Sequence, residues 1–438
     1  MTRRIALVLS FCFSATLARI HAQSPASAGT AQARPPATRL TLEDCYRLAE
    51  ANYPLTRQRA LIQQTRDYNI ANIAKGVYPQ LNVNGSATYQ SAVTSLSLPP
   101  SLGIPLDITL PKDQYNIHGE ISQTLTGFGI NKQRREISRT DAQLQEEDLN
   151  TSLYQLRERV NQLFFGALLI GGQLEQNALA AQDIRTGIAN VQARIDNGTD
   201  FRSSLNKLQA ELLKTEQHSI ELSASREAYL DMLGLFIDES VDSSTQLIKP
   251  DAPAAADSIN RPELRAYDLQ VKSYAEQLRL TKLDLYPQLS AFFQGGYGRP
   301  NPVNFLSTQW SGYYLTGLRL TWTIGGAYTY RKDKLIAKNN QDMVLAQRNT
   351  FLFNTTQTMY QENADIRKFR RLIRTDDDIV RLRQSVSRSS AAQLQNGAIT
   401  ANDYLLDVNA ANQARQDRVV HEIQLLLTQY DYKTTSGN

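Results

Sequence analysis

Four segments of this chain alternate apolar and polar positions with a period of two. In the first, Leu81, Val83, Gly85, Ala87 and Tyr89 face one way, and Asn82, Asn84, Ser86, Thr88 and Gln90 the other. In the second, Tyr115, Ile117, Gly119, Ile121 and Leu125 oppose Asn116, His118, Glu120, Ser122 and Thr124. In the third, Leu289, Ala291, Phe293 and Tyr297 oppose Ser290, Gln294 and Gly296, with Phe292 an exception. In the fourth, Tyr314, Leu318, Leu320 and Trp322 oppose Gly317, Arg319, Thr321 and Thr323. Period two is the strand signature. Strands are therefore expected at about 78–91, 114–126, 286–298 and 310–323. Each is about ten residues, enough for a tilted strand to cross hydrocarbon. The polar sides read as small and uncharged, as a wet lumen would allow. A soluble antiparallel sheet with one solvated face would show the same alternation.

The rest of the chain is written with a helical period. From Ile130 to Asp196 there is no proline, and apolar residues recur three and four apart: Leu149, Leu153, Leu156, Val160, Leu163, Ala167, Ile170, Leu174. From Ala327 to Gln395 there is again none. Either stretch would reach about 100 Å as one helix at about 1.5 Å per residue. Shorter helices are expected at about 42–75, with a break at Pro54, and at 200–233, 260–284 and 401–433. Gly171-Gly172 and Gly187 mark where the first long helix is expected to bend.

These elements occur twice. Asn52–Tyr89 and Asn260–Tyr297 align without a gap, and each contains Tyr-Pro-Gln-Leu, at Tyr78-Pro79 and Tyr286-Pro287. A glycine pair, a basic cluster, a long helical stretch and an Asn-Gly step follow each copy. The organisation is a first repeat (40–233), a middle segment (234–259), a second repeat (260–433) and a tail (434–438). Proline-bearing connections at 91–114 (Pro99, Pro100, Pro105, Pro111) and 298–309 (Pro300, Pro302) read as outward loops.

Residues 1–22 read as a secretory signal, with Arg3 and Arg4 ahead of an apolar core at Ile5–Leu17, and 23–39 as a disordered lead-in. Cleavage would leave Cys45 as the sole cysteine, a small apolar residue on a helix face. It would also lower the net charge from +4 to about +1. That balance, with no basic stripe, argues against nucleic acid as a partner. His118 and His218 lack metal-ligand spacing, no catalytic triad or phosphate loop stands out, and no cofactor is expected.

Four strands leave two raw edges, which lipid does not tolerate. Two copies would make an eight-stranded barrel with a filled interior. A conduit therefore requires at least three copies. Two other readings stand beside it: a soluble periplasmic coiled-coil scaffold without channel activity, and a periplasmic hydrolase.

The residues resemble the TolC family of outer-membrane efflux and secretion channels over nearly the whole of Leu40–Tyr432. The resemblance rests on Leu42-Glu43-Asp44 with Ala49, Asn52-Tyr53-Pro54, both Tyr-Pro-Gln-Leu turns, Thr126-Gly127-Phe128-Gly129, Ile324-Gly325-Gly326, and both Asn-Gly steps. It implies a mainly α fold with membrane β. A homotrimer would form a 12-stranded outer-membrane β-barrel continuous with a 12-helix periplasmic α-barrel. It implies no enzymatic activity and a location in the outer membrane of a Gram-negative bacterium, in contact with its lipid. The expected partners are a periplasmic adaptor (membrane fusion) protein and an inner-membrane pump or ABC transporter, in tripartite efflux or type I secretion.

Site residues follow from that matching. Arg194, Asn197, Gly198, Thr199, Asn396, Gly397 and Ala398 stand at the periplasmic tips, where the adaptor would dock. Asp403 and Asp407 are gate candidates, with Ile399 and Leu394 standing where the family's gate has other residue types. Arg194 is a possible partner for Asp403. The run Asp376-Asp377-Asp378 reads as a solvated helix face with intrahelical pairs, or as a tunnel-lining ring. Tyr78, Pro79, Tyr286 and Pro287 form the turns leading into strands. Tyr313, Tyr314 and Trp322 are membrane-interface aromatics.

Overall fold

The computed structural model describes residues 39–97, 107–254, 258–304 and 307–438. The expected signal at 1–22, the lead-in up to residue 38, and Pro99, Pro100 and Pro105 lie outside the described residues. Arg39, expected in the lead-in, already belongs to a short strand, β1 (Arg39–Leu40).

Thr41 caps α1 (Leu42–Asn52) by accepting from the Asp44 amide at 3.2 Å. Tyr53 turns extended ahead of Pro54 (φ −61°, ψ 133°), as a residue before proline prefers. The chain makes one 3₁₀ turn (Pro54–Arg57) and resumes as α2 (Gln58–Lys75). β2 (Gln80–Tyr89) follows. The first long connection is more than a loop, because β3 (Ser95–Ser97) pairs antiparallel with β4 (Asp107–Thr109). Then come β5 (Asp113–Thr124), α3 (Phe128–Tyr154), α4 (Leu156–Asp196) and α5 (Arg202–Ile237). β6 (Gln246–Leu247) pairs parallel with β1. The second repeat supplies α6 (Pro262–Leu283), β7 (Gln288–Arg299), β8 (Ser311–Thr321), α7 (Gly326–Gln395) and α8 (Ala401–Ser436).

The four longer strands form one antiparallel sheet in the order β2-β5-β7-β8. Its register puts Leu81 against Ile121, Gly119 against Gly295, and Gly295 against Tyr314. One face therefore collects Val83, Ile117, Ile121, Phe293, Tyr297, Tyr314, Leu318 and Leu320, and these side chains stay exposed. Val83 is 70% exposed and Leu318 67%, too much apolar surface for a face meant for water. β2 and β8 are the sheet's two edges.

The α3–α4 run and α7 span the whole length of the helical part. α2 and α6 pack beside them on the sheet side, and α5 and α8 on the other. The α3–α4 run is interrupted only at Gln155, whose φ of −62° and ψ of −18° remain helical. It does not break at the glycines. Gly172 and Gly187 serve packing, because a Cβ there would come within 2.6 Å of Val419 and 2.4 Å of Tyr404 respectively, both on α8.

Two buried clusters hold the helices. Near β1 and β6, Phe164 and Phe165 of α4, Leu230 and Leu233 of α5, and Tyr430 of α8 enclose Leu42, Cys45 and Ala49 of α1. Cys45 is fully buried, and burial pushes its thiol up to about 12. At the far end, Ile184, Val191, Leu205, Leu208, Leu394, Tyr404 and Val408 close a second core.

Candidate functional sites: helix tips and strand face

The two far hairpins end in the same turn. Gly198 (φ 71°) donates to the Ile195 carbonyl at 2.9 Å, and Thr199 to the Arg194 carbonyl at 2.8 Å. Gly397 (φ 73°) donates to the Leu394 carbonyl at 3.0 Å, and Ala398 to the Gln393 carbonyl at 2.8 Å. Both are Schellman caps, with glycine in the left-handed position and asparagine one residue before it. Asn197 and Asn396 keep negative φ, −89° and −87°.

Arg194 does not pair with Asp403. Its Nη1 donates to the Leu394 carbonyl at 2.9 Å and lies 3.4 Å from Asp200 Oδ2. The reason is proximity to a helix end: Leu394 sits in the last turn of α7, where carbonyls lack intrahelical donors. Asp403 is instead committed to its own helix. With Thr400 it forms a capping box at the start of α8, the Thr400 amide and hydroxyl donating to its Oδ2 at 3.1 and 2.7 Å. The Thr400 side chain, then its backbone, holds the Asp403 carboxyl below the usual carboxylate value. Asp403 is exposed, whereas Asp407 is half-buried and accepts from the Ser390 hydroxyl of α7. Of the two residues standing at the family's gate positions, Leu394 is 0% exposed within the far core, and Ile399 packs against that core.

Tyr404 was not singled out in the sequence, yet it organises this end. It is fully buried over Gly187, and its hydroxyl donates to the Asp183 carbonyl of α4 at 2.6 Å. Arg415 reaches the Asp183 carboxylate at 3.1 Å. The turn also carries Phe201, 79% exposed, a large apolar side chain at the very end of the hairpin.

The Asp376-Asp377-Asp378 run is neither a uniform solvated face nor a uniform ring. Successive helical residues diverge by about 100°. Asp376 is buried and lies 2.7 Å from His421 Nδ1, Asp377 pairs with Arg418 at 2.7 Å, and Asp378 pairs within its helix with Arg381 at 2.7 Å.

At the opposite end, the Tyr-Pro turns match across the repeats. Tyr78 donates to the Lys75 carbonyl at 2.9 Å and Tyr286 to the Leu283 carbonyl at 3.2 Å. The carbonyl just before each tyrosine is held by a distant side chain: Gln123 to Val77 at 2.6 Å, and Trp322 to Leu285 at 3.0 Å. Pro79 and Pro287 then release the chain into β2 and β7.

Tyr314 and Trp322 lie on the apolar face, but Tyr313 does not. Consecutive strand residues point opposite ways. Tyr313 crosses Gly296 on the polar face and donates to Asn116 Oδ1 at 2.7 Å. A stack unnoticed in the sequence, Tyr115–Trp310–Tyr297, with centroids 5.6 and 5.7 Å apart, lies at the outer end of the apolar face. Nor is the polar face free of charge, since Arg319 and Glu120 pair on it at 2.8 Å.

The site is therefore an open sheet with an exposed apolar face and aromatic ends, mounted on helices of about 100 Å. No helix among the described residues is long and apolar enough to cross a membrane. Residues 45–233 match the family model described as outer membrane efflux protein. Over those residues the chain is similar to that family, and its fold is TolC-like, mainly helical with a smaller sheet. No curated protein matches. Among solved structures, CusC superposes with a TM-score of 0.67 at 15% identity, over 90% of this chain and 91% of its own. VceC of Vibrio cholerae gives 0.63 at 12%, over 91% and 96%. The open state of MtrE from Neisseria gonorrhoeae gives 0.63 at 15%, over 91% and 89%. These superpositions show that the chain has the fold of those channel proteins.

Proposed function

We propose that three copies of this chain form the exit duct of a tripartite efflux or type I secretion assembly. An inner-membrane pump or ABC transporter would drive cargo into it through a periplasmic adaptor. The observation that carries this reading is the pair of unpartnered sheet edges, β2 and β8, on a chain whose opposite end presents two identical capped turns. Edge-to-edge closure around a three-fold axis would leave no raw strand in lipid. It would also bring six capped hairpins together at the periplasmic end.

The adaptor is proposed to dock on those tips, on Asn197–Thr199 and Asn396–Ala398 with the exposed Phe201 as an apolar anchor. Replacing Gly198 by proline removes the amide that bonds Ile195 and forbids the positive φ. Pull-down with the co-expressed adaptor should then fail while trimers persist on native gels. A retained complex would refute docking there.

Asp403 is the preferred gate residue and Asp407 the second. Asp403 is exposed and held ionised, so three copies near an axis would attract cations and resist closure. In planar bilayers, Asp403→Ala should raise single-channel conductance and weaken cation preference. Unchanged conductance and preference would count against the gate.

A further inference from the structure

Among the described residues, the four spanning strands contain four charged side chains: Asp113, Glu120, Arg299 and Arg319. Arg299 and Asp113 approach to 3.5 Å at the outer end, beside the aromatic stack. Arg319 and Glu120 lie further in, on the polar face. They sit on β8 and β5, two strands with β7 between them.

Arg319 is opposite Ser290 and Glu120 is opposite Gln294, so the guanidinium must cross β7 diagonally over position 292. It does so 4.6 Å above the Phe292 ring. Nη1 and Nη2 then donate to the two Glu120 oxygens at 2.8 and 3.1 Å, a fork-to-fork contact. This accounts for Phe292, the apolar residue that breaks the alternation of β7. It is the floor on which the arginine lies. Gly317 faces that ring, and a Cβ there would stand 3.3 Å from it. The Arg319 side chain is still 47% exposed, so the pair is presented to the space the sheet encloses.

We propose that the Glu120–Arg319 pair sets the fixed charge of the barrel lumen, each protomer contributing one compensated pair to a ring with no net charge. The proposal rests on the channel reading, which puts the polar face inside. Unpaired, three guanidiniums would repel cations across the lumen, and three carboxylates would repel anions. Compensation removes that barrier for cargo of either sign. Such a ring acts over about 10 Å at 0.1 M salt and about 30 Å at 0.01 M, so its effect is read at low salt.

The test is the reversal potential of the purified full-length protein in planar bilayers under a dilute KCl gradient. Wild-type conductance checks the channel reading independently. Glu120→Gln should lower the cation-to-anion permeability ratio by about twofold or more, and Arg319→Gln should raise it by a similar factor. The exchange of Glu120→Arg with Arg319→Glu should restore the wild-type ratio. If both single variants keep that ratio, or both move it in one direction, the proposal is overturned.

Discussion

Arg194 donates to the Leu394 carbonyl at 2.9 Å, so the last turn of α4 is tied to the last turn of α7. Leu394 also accepts from Gly397, whose position leaves room for the guanidinium; a Cβ there would lie 3.2 Å from Arg194 Nη2. The two tips are thus one unit within the chain, not two independent hairpins.

Removing this tie should loosen both tips together. Arg194→Ala should cost about 1–2 kcal/mol locally, through the lost charged hydrogen bond. Hydrogen exchange should quicken at 196–201 and also at 394–400. Faster exchange at the first tip alone would show that the link to Leu394 carries no energy.

The Gly187–Tyr404 contact makes a second prediction. Gly187→Ala puts a Cβ 2.4 Å from Tyr404 Cε1, and such overpacking costs about 1–3 kcal/mol. Tyr404→Phe removes only the bond to the Asp183 carbonyl, at about 1 kcal/mol. Combining Gly187→Ala with Tyr404→Leu should recover part of the first loss in thermal melts. Strict additivity of the two changes would show that the residues do not meet.

Glu362 supplies a pH dependence. It packs at the α7–α8 seam, one oxygen accepting from Thr435 at 2.8 Å and the other buried without a partner among the described residues. Burial pushes its carboxyl from 4.5 up to about 7, and burial pushes that of Asp431 nearby up to about 6. The folded protein therefore holds protons that the unfolded chain releases. This contribution is complete below about 4.5 and is lost as pH rises through about 7. Allowing for partial exposure, Glu362 accounts for about 1–2 kcal/mol. The melting temperature should fall between pH 5 and pH 8, and Glu362→Gln should flatten much of that slope. An unaltered slope in the variant would exclude Glu362 as its source.

Whatever depends on local period is legible in this sequence. Period two exposes the strand faces, proline forces the Tyr-Pro turns, and Asn-Gly marks reversals because glycine tolerates positive φ. Partners two hundred residues away are not legible. Gly187 looks like a hinge until Tyr404 is laid on it. Leu394 stands at a gate position in the sequence, and the far core encloses it. Arg194 has a carboxylate in Asp403 by arithmetic and finds Asp200 and a carbonyl in space. Phe292 looks like noise in an alternation until Arg319 reaches across it. The exception to a pattern marked a specific contact, and nothing local could name the partner.

The central claim is that β2 of one protomer pairs with β8 of the next around a three-fold axis. Cys45 is fully buried, so cysteines can be introduced at these edges with little interference. The direct measurement is oxidative cross-linking between single cysteines scanned along Gln80–Tyr89 and along Ser311–Thr321, in native outer membranes. The account predicts a ladder that ends at trimer, with yields alternating at a period of two residues. A ladder ending at dimer, or no cross-link at any register, would contradict it.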